Sequence, residues 1–142
     1  MSKMDEIISR DKEFYYLVTR VLADYQTIEF LLRKYIKSCY ECTRKALGKK
    51  LNYKRPLSKL EKMSLGSLID EAKVYSSNAD FMKALKESVR FRNEVAHSIL
   101  SDMHQSGFDD ISMIEKVSEL RRRKVHLEHL INFLFEELYG LK

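Results

Sequence analysis

A chain of 142 residues with 44% hydrophobic and 33% charged side chains can bury a core of its own and does not have the composition of a disordered segment. No apolar run approaches the roughly 18 residues that a bilayer-spanning helix needs, and the charged opening Met1-Ser2-Lys3-Met4-Asp5-Glu6 lacks the apolar centre of a signal peptide, so a single cytoplasmic domain over residues 1–142 is expected. The net charge of +5 and the pI near 9.1 permit contact with nucleic acid without requiring it.

One Pro and four Gly leave long uninterrupted stretches, which favours helices. The first runs from about Lys12 to Leu47. Phe14, Val18, Val21, Tyr25, Ile28, Leu32, Tyr35 and Cys39 recur along it every three or four residues as one apolar seam. Arg44 and Lys45 suit the negative end of its dipole, and Gly48 stops it. Glu29, beside the seam, is a candidate partner for a basic residue; a solvated flank is the plainer reading. Cys39 and Cys42 make a C-x-x-C inside the helix. Without a second Cys pair or a βαβ setting they read as two packed thiols rather than a redox or zinc pair, even though His126 and His129 lie in the last helix. No metal and no other cofactor is expected.

The linker from Gly48 to Leu57 places Lys49, Lys50, Lys54 and Arg55 around Tyr53. Such a loop can hold a phosphate backbone and stack a base, and equally can be ordinary solvated surface. A second, short helix follows. Ser58 with Glu61 could cap it, but Ser64 fits better, because Leu65, Leu68, Ile69 and Ala72 then share one face. Gly66 in its first turn suggests close approach of a neighbouring backbone. Asn78 is placed to cap a third helix from Ala79 to Leu100, with an apolar stripe of Met82, Leu85, Val89, Ala96 and Ile99. Ser101 to Asp110 reads as a polar connection containing His104 and Gly107. Ser112 and Glu115 form a capping box for the last helix. That helix runs to about Tyr139 with Val117, Leu120, Leu127, Ile131, Leu134 and Leu138 facing in, and Gly140 closes it. Its basic run Arg121-Arg122-Arg123-Lys124 covers more than a turn, so one or two of the four are available to any one ligand. Two long and two shorter helices with short connections predict an all-α antiparallel four-helix bundle.

Within the third helix, Arg90-Phe91-Arg92-Asn93-Glu94-Val95-Ala96-His97 sets packing against polarity. Arg92 falls at the edge of the apolar stripe, where packing alone would favour Leu, and a half-buried guanidinium needs an anion. Asn93 and His97, four residues apart, share a face. At about 100° per residue, Arg92 and His97 lie roughly 140° apart and flank a groove paved by Val89, Asn93 and the small Ala96.

Arg92-Asn93-x-x-x-His97 resembles the Arg-x4–6-His motif of the HEPN superfamily (higher eukaryotes and prokaryotes nucleotide-binding), in which a polar residue commonly follows the Arg. Met63-Ser64-Leu65-Gly66-Ser67-Leu68-Ile69 is similar to the opening of the second helix in many small HEPN proteins. The resemblance follows the helix order over nearly the whole chain, with about a dozen positions carrying it. It implies a HEPN-like bundle and, in the ribonucleases of the family, two motifs meeting across a homodimer. By that resemblance Arg92 would clamp phosphate, His97 would act as acid or base, and Asn93 would orient His97 or bind RNA. Lys49, Lys50, Tyr53, Lys54, Arg55 and Arg90 are the candidate RNA contacts. The family's usual biology suggests a toxin or antiphage effector with a possible antitoxin partner. A non-catalytic HEPN-like binding or dimerisation module stays open beside the endoribonuclease, because a shared fold does not decide function.

Overall fold

The computed structural model describes residues 2–48, 57–105 and 107–140. Among them every regular element is helical: five α-helices, one 3-10 turn and one π turn, with no strand. The first helix, α1, spans Lys3–Leu47 without a break. No glycine or proline interrupts it, and the residues ahead of Lys12 continue it to a start where the Asp5 backbone N–H donates to Ser2 Oγ at 3.2 Å. All eight seam residues expected of α1 are buried. Gly48 follows in the left-handed region, at φ 62°, a conformation that releases the chain from the helix at little steric cost.

A 3-10 turn, Leu57–Lys62, leads to α2, Leu65–Lys73. Ser64 is its N-cap, with Oγ accepting from the Ser67 N–H at 3.2 Å, and Leu65, Leu68, Ile69 and Ala72 are buried as their spacing predicts. Gly66 meets no neighbouring backbone. A Cβ added there would lie 3.6 Å from Lys86 Nζ, an ordinary contact. Asn78 caps α3, Ala79–Glu94, through Oδ1 and the Phe81 N–H at 3.0 Å. The expected stop at Leu100 does not occur. The helix passes through a π turn, Val95–Ile99, and continues as α4, Leu100–Gln105. His104, expected in a polar connection, is therefore helical. The last helix, α5, Asp110–Tyr139, is capped one turn earlier than the Ser112 box predicts: Asp109 Oδ1 accepts from the Ser112 N–H at 2.7 Å. That bond holds the Asp109 carboxyl below its usual range.

The chain forms two compact units, Met1–Gln26 with Arg90–His129, and Thr27–Val89 with Leu130–Lys142. In the first, Arg10 Nη1 meets Asp110 Oδ1 at 3.0 Å near the start of α1 and α5. Farther along both helices, Asp24 feels Lys124 and Glu128. Residues therefore rise in step, and α5 runs parallel to α1 rather than antiparallel to it. The α3–α4 run goes the other way: the Arg123 guanidinium lies 4.7 Å from the centre of the Phe91 ring, and the His104 ring 6.0 Å from Tyr15. Phe14 packs edge-on against Phe108, at 6.1 Å between centroids.

In the second unit, Arg33 fastens the 3-10 turn to α1 by donating to the carbonyls of Leu60 (2.9 Å) and Met63 (3.2 Å). Tyr40 donates to Glu71 at 2.5 Å, joining α1 to α2. Lys86 of α3 reaches Asp70 of α2 at 3.0 Å. Phe81 and Phe133 stack at 4.3 Å between α3 and α5. Cys39 is buried here and Cys42 exposed. Burial pushes the Cys39 thiol up to about 11 and the neighbouring Tyr35 hydroxyl up to about 12. A thiol with so little thiolate at neutral pH is a poor nucleophile and a poor metal ligand.

Candidate functional site

The Arg92–His97 stretch lies in the first unit, where the π turn decides which side chains face out. A turn closed by i→i+5 bonds is wider than an α-turn, so each residue advances by about 80° instead of about 100°. Phe91, Val95 and Ile99 then stack into one column, and they are 3%, 0% and 5% exposed. Val89 and Ala96, expected in the core, are half-buried instead. Ahead of the π turn the buried stripe of α3 runs through Leu85, Ser88 and Phe91 rather than Val89, and within the turn Ala96 is left half-buried. Spacing by four, held through 91, 95 and 99, is the sequence signal that favours a wider turn over a 3.6-residue period.

The same widening changes the relation between the motif side chains. Two α-steps and three π-steps separate Arg92 from His97, which places them about 80° apart around the axis instead of about 140°. Arg92 is half-buried and His97 exposed. Both thus lie on neighbouring faces of one side of the helix, the arginine half-buried and the imidazole open to solvent. The Asn93 carbonyl accepts from Arg92 Nη1 at 3.3 Å. Asn93 thus contacts Arg92, and its bond is to the guanidinium rather than to the imidazole. His97 makes no hydrogen bond among the described residues, and its donor and acceptor are available to a ligand. Glu29, the candidate partner for a basic residue, pairs with Arg33 of its own helix at 3.8 Å.

Arg90 projects into solvent, its side chain 90% exposed, and reaches Glu94 at 3.6 Å. Lys49, Lys50, Tyr53, Lys54 and Arg55 lie outside the described residues. The basic run on α5 separates into different roles. Arg121 pairs with Glu13 of α1 at 2.6 Å, and Lys124 with Glu128 at 3.4 Å. Arg122 is exposed. Arg123 covers the Phe91 ring, and its buried Nε has no hydrogen-bond partner among the described residues. Phe91 precedes Arg92 directly, so this second guanidinium sits on the residue next to the motif arginine. Nothing in the basic run itself distinguishes Arg123 from its neighbours; the distinction comes from a contact across 32 positions of sequence.

Asp24 is the other charged group drawn inward in this unit. It is 5% exposed, pairs with Arg20 at 3.5 Å through one oxygen, and leaves Oδ2 buried without a hydrogen-bond partner among the described residues. Burial raises its carboxyl above the ordinary value, Glu128 adds to the rise, and Arg20 and Lys124 oppose it. Among the described residues, no three His, Cys, Asp or Glu side chains gather where they could hold a metal ion, and no helix is long and apolar enough to cross a membrane. No family model, curated protein or solved structure matches the chain.

Proposed function

We propose that the protein is a HEPN-like helical bundle, with α1, α2, the α3–α4 run and α5 as its four helices, that acts as an endoribonuclease cutting RNA without a metal. The observation that carries this reading is the π turn, which turns an exposed imidazole and a half-buried guanidinium to one side of the same helix. Cleavage by the substrate's own 2′-hydroxyl needs few groups. The 2′-oxygen attacks the adjacent phosphorus and gives up its proton to a base, while the 5′-oxygen leaves and takes a proton from an acid. An imidazole can fill either role near neutral pH. A guanidinium forks onto two phosphoryl oxygens and stabilises the charge that builds there. His97 and Arg92 take these parts, with Asn93 restraining the guanidinium.

One motif supplies one imidazole, and acid and base are both needed, so the active form is a homodimer whose two motifs share a cleft. The biology that fits is a toxin or antiphage effector in the cytoplasm, held in check by an antitoxin protein. The exposed apolar side chains of the first unit, among them Ile111 at 73% and Ile114 at 59%, support a second reading: a binding or dimerisation module with no activity of its own.

Purified protein, mixed RNA and EDTA separate the two. The expected products carry a 2′,3′-cyclic phosphate and a 5′-hydroxyl, and DNA, which lacks the 2′-oxygen, stays intact. His97→Ala should lose on the order of 10²-fold in rate or more. Arg92→Lys should also fail, because an ammonium cannot reproduce the fork. Equal cleavage by wild type and His97→Ala, or none across a broad RNA panel, gives the binding module the field.

A further inference from the structure

We infer that Tyr15 and His104 form a stacking platform for a nucleobase of single-stranded RNA, next to the Arg92–His97 site. This rests on the ribonuclease reading for the identity of the strand, and it adds a subsite made by two residues far apart in sequence.

Their rings lie 6.0 Å apart between centroids, tilted by 40°. Aromatic pairs of this kind usually gain by burial, yet here both residues are exposed, Tyr15 to 39%. Behind Tyr15 stands Phe14, fully buried, meeting the Tyr15 ring edge-on at 5.3 Å. The Tyr15 ring is therefore backed by the core through Phe14 and meets His104, and part of the residue reaches solvent. A ring fixed in this way loses little freedom when a flat ligand settles on it.

The position of His104 connects the platform to the motif. His97 and His104 belong to one helical run. Two π-steps and five α-steps separate them, which amounts to about 60° around the axis and about 10 Å along it. Both project from the same side, two turns apart. A strand with its scissile phosphate at Arg92 and His97 can therefore lay a flanking base on Tyr15 and His104. Stacking on an aromatic face tolerates any base and adds to the electrostatic hold on the backbone.

The test uses the whole chain and fluorescein-labelled 2′-O-methyl oligoadenylate, which cannot be cut because its 2′-oxygen is blocked. An abasic oligomer of the same length serves as the backbone-only probe. Wild type should bind the oligoadenylate more tightly than the abasic oligomer. Tyr15→Leu should weaken oligoadenylate binding by roughly 5- to 100-fold and leave the abasic oligomer's binding unchanged, while Tyr15→Phe, which keeps the face, should bind both probes like wild type. If Tyr15→Leu melts at the assay temperature by circular dichroism, His104→Leu carries the same comparison. Equal binding of the two probes by wild type, or no loss in the Leu variant, overturns the platform. Tyr15-dependent binding by a protein that cuts no RNA keeps the platform and removes the ribonuclease.

Discussion

At the scale of single residues, Asp24 shows how a buried charge sets a pH dependence. Its ionised carboxylate has one oxygen against Arg20, whose side chain is half exposed, and one oxygen with no hydrogen-bond partner among the described residues. An exposed arginine contributes little to such a pair, whereas an unsatisfied buried anion is costly. Its carboxyl is raised above 3.8 in the folded protein, so the folded state keeps the proton to higher pH than the unfolded chain. Between those two values the unfolded state binds fewer protons, and stability falls as pH rises. Asp24→Asn removes the ionisation and keeps the shape. The variant should melt at a higher temperature than wild type at pH 7, and the two should converge as pH falls below the ordinary carboxylate value. Thermal melts across that range read the difference directly, and a variant less stable than wild type at pH 7 would mean that the Arg20 contact outweighs the orphaned oxygen. Neither Asp24's burial nor Arg123's place on Phe91 can be read from sequence, since each depends on contacts between helices that are distant in the chain.

The elements were legible to different depths, and for physical reasons. The seam of α1 holds a three- and four-residue rhythm for seven turns, and one rhythm that long has a single helical solution. The cap and buried face of α2 were legible because a serine cap and four apolar positions agree, while the close backbone approach expected at Gly66 is absent among the described residues. The motif helix was legible only as a helix. A 3.6-residue projection anchored on Val89 and Ala96 placed both inside, whereas the buried residues are Ser88, Phe91 and Val95, and a π turn follows over Val95–Ile99. The same turn kept the chain helical through His104. If it positions the site, removing one residue should undo it. Deleting Ser98 leaves Arg92 and His97 five residues apart but lets the turn close as an α-helix, which opens their separation from about 80° to about 140°. Helical content by circular dichroism should hold, and the rate of RNA cleavage should fall toward that of His97→Ala. A deletion variant that cuts RNA like wild type would show that the π turn has no part in the chemistry.

At the scale of the whole molecule, composition pointed to a helical chain and periodicity to helices with buried faces, but neither bears on how many motifs the proposed cleft would need. That number follows from chemistry. Cleavage through the 2′-oxygen calls for a proton acceptor and a proton donor, and each chain brings one Arg-x4-His motif. If two chains share the cleft, defects in different residues should compensate. Arg92→Lys and His97→Ala are each expected to be nearly inactive as homodimers. Mixed at equal concentration and allowed to exchange, they form heterodimers in which one protomer keeps Arg92 and the other keeps His97. The mixture should cut RNA several times faster than the sum of the two variants measured apart, and light scattering should read a dimer for wild type, for each variant and for the mixture. A strict monomer at micromolar concentration removes the shared cleft. A stable dimer whose mixture shows no gain means that one guanidinium and one imidazole do not suffice: either the shared cleft needs both imidazoles, or the two motifs do not meet.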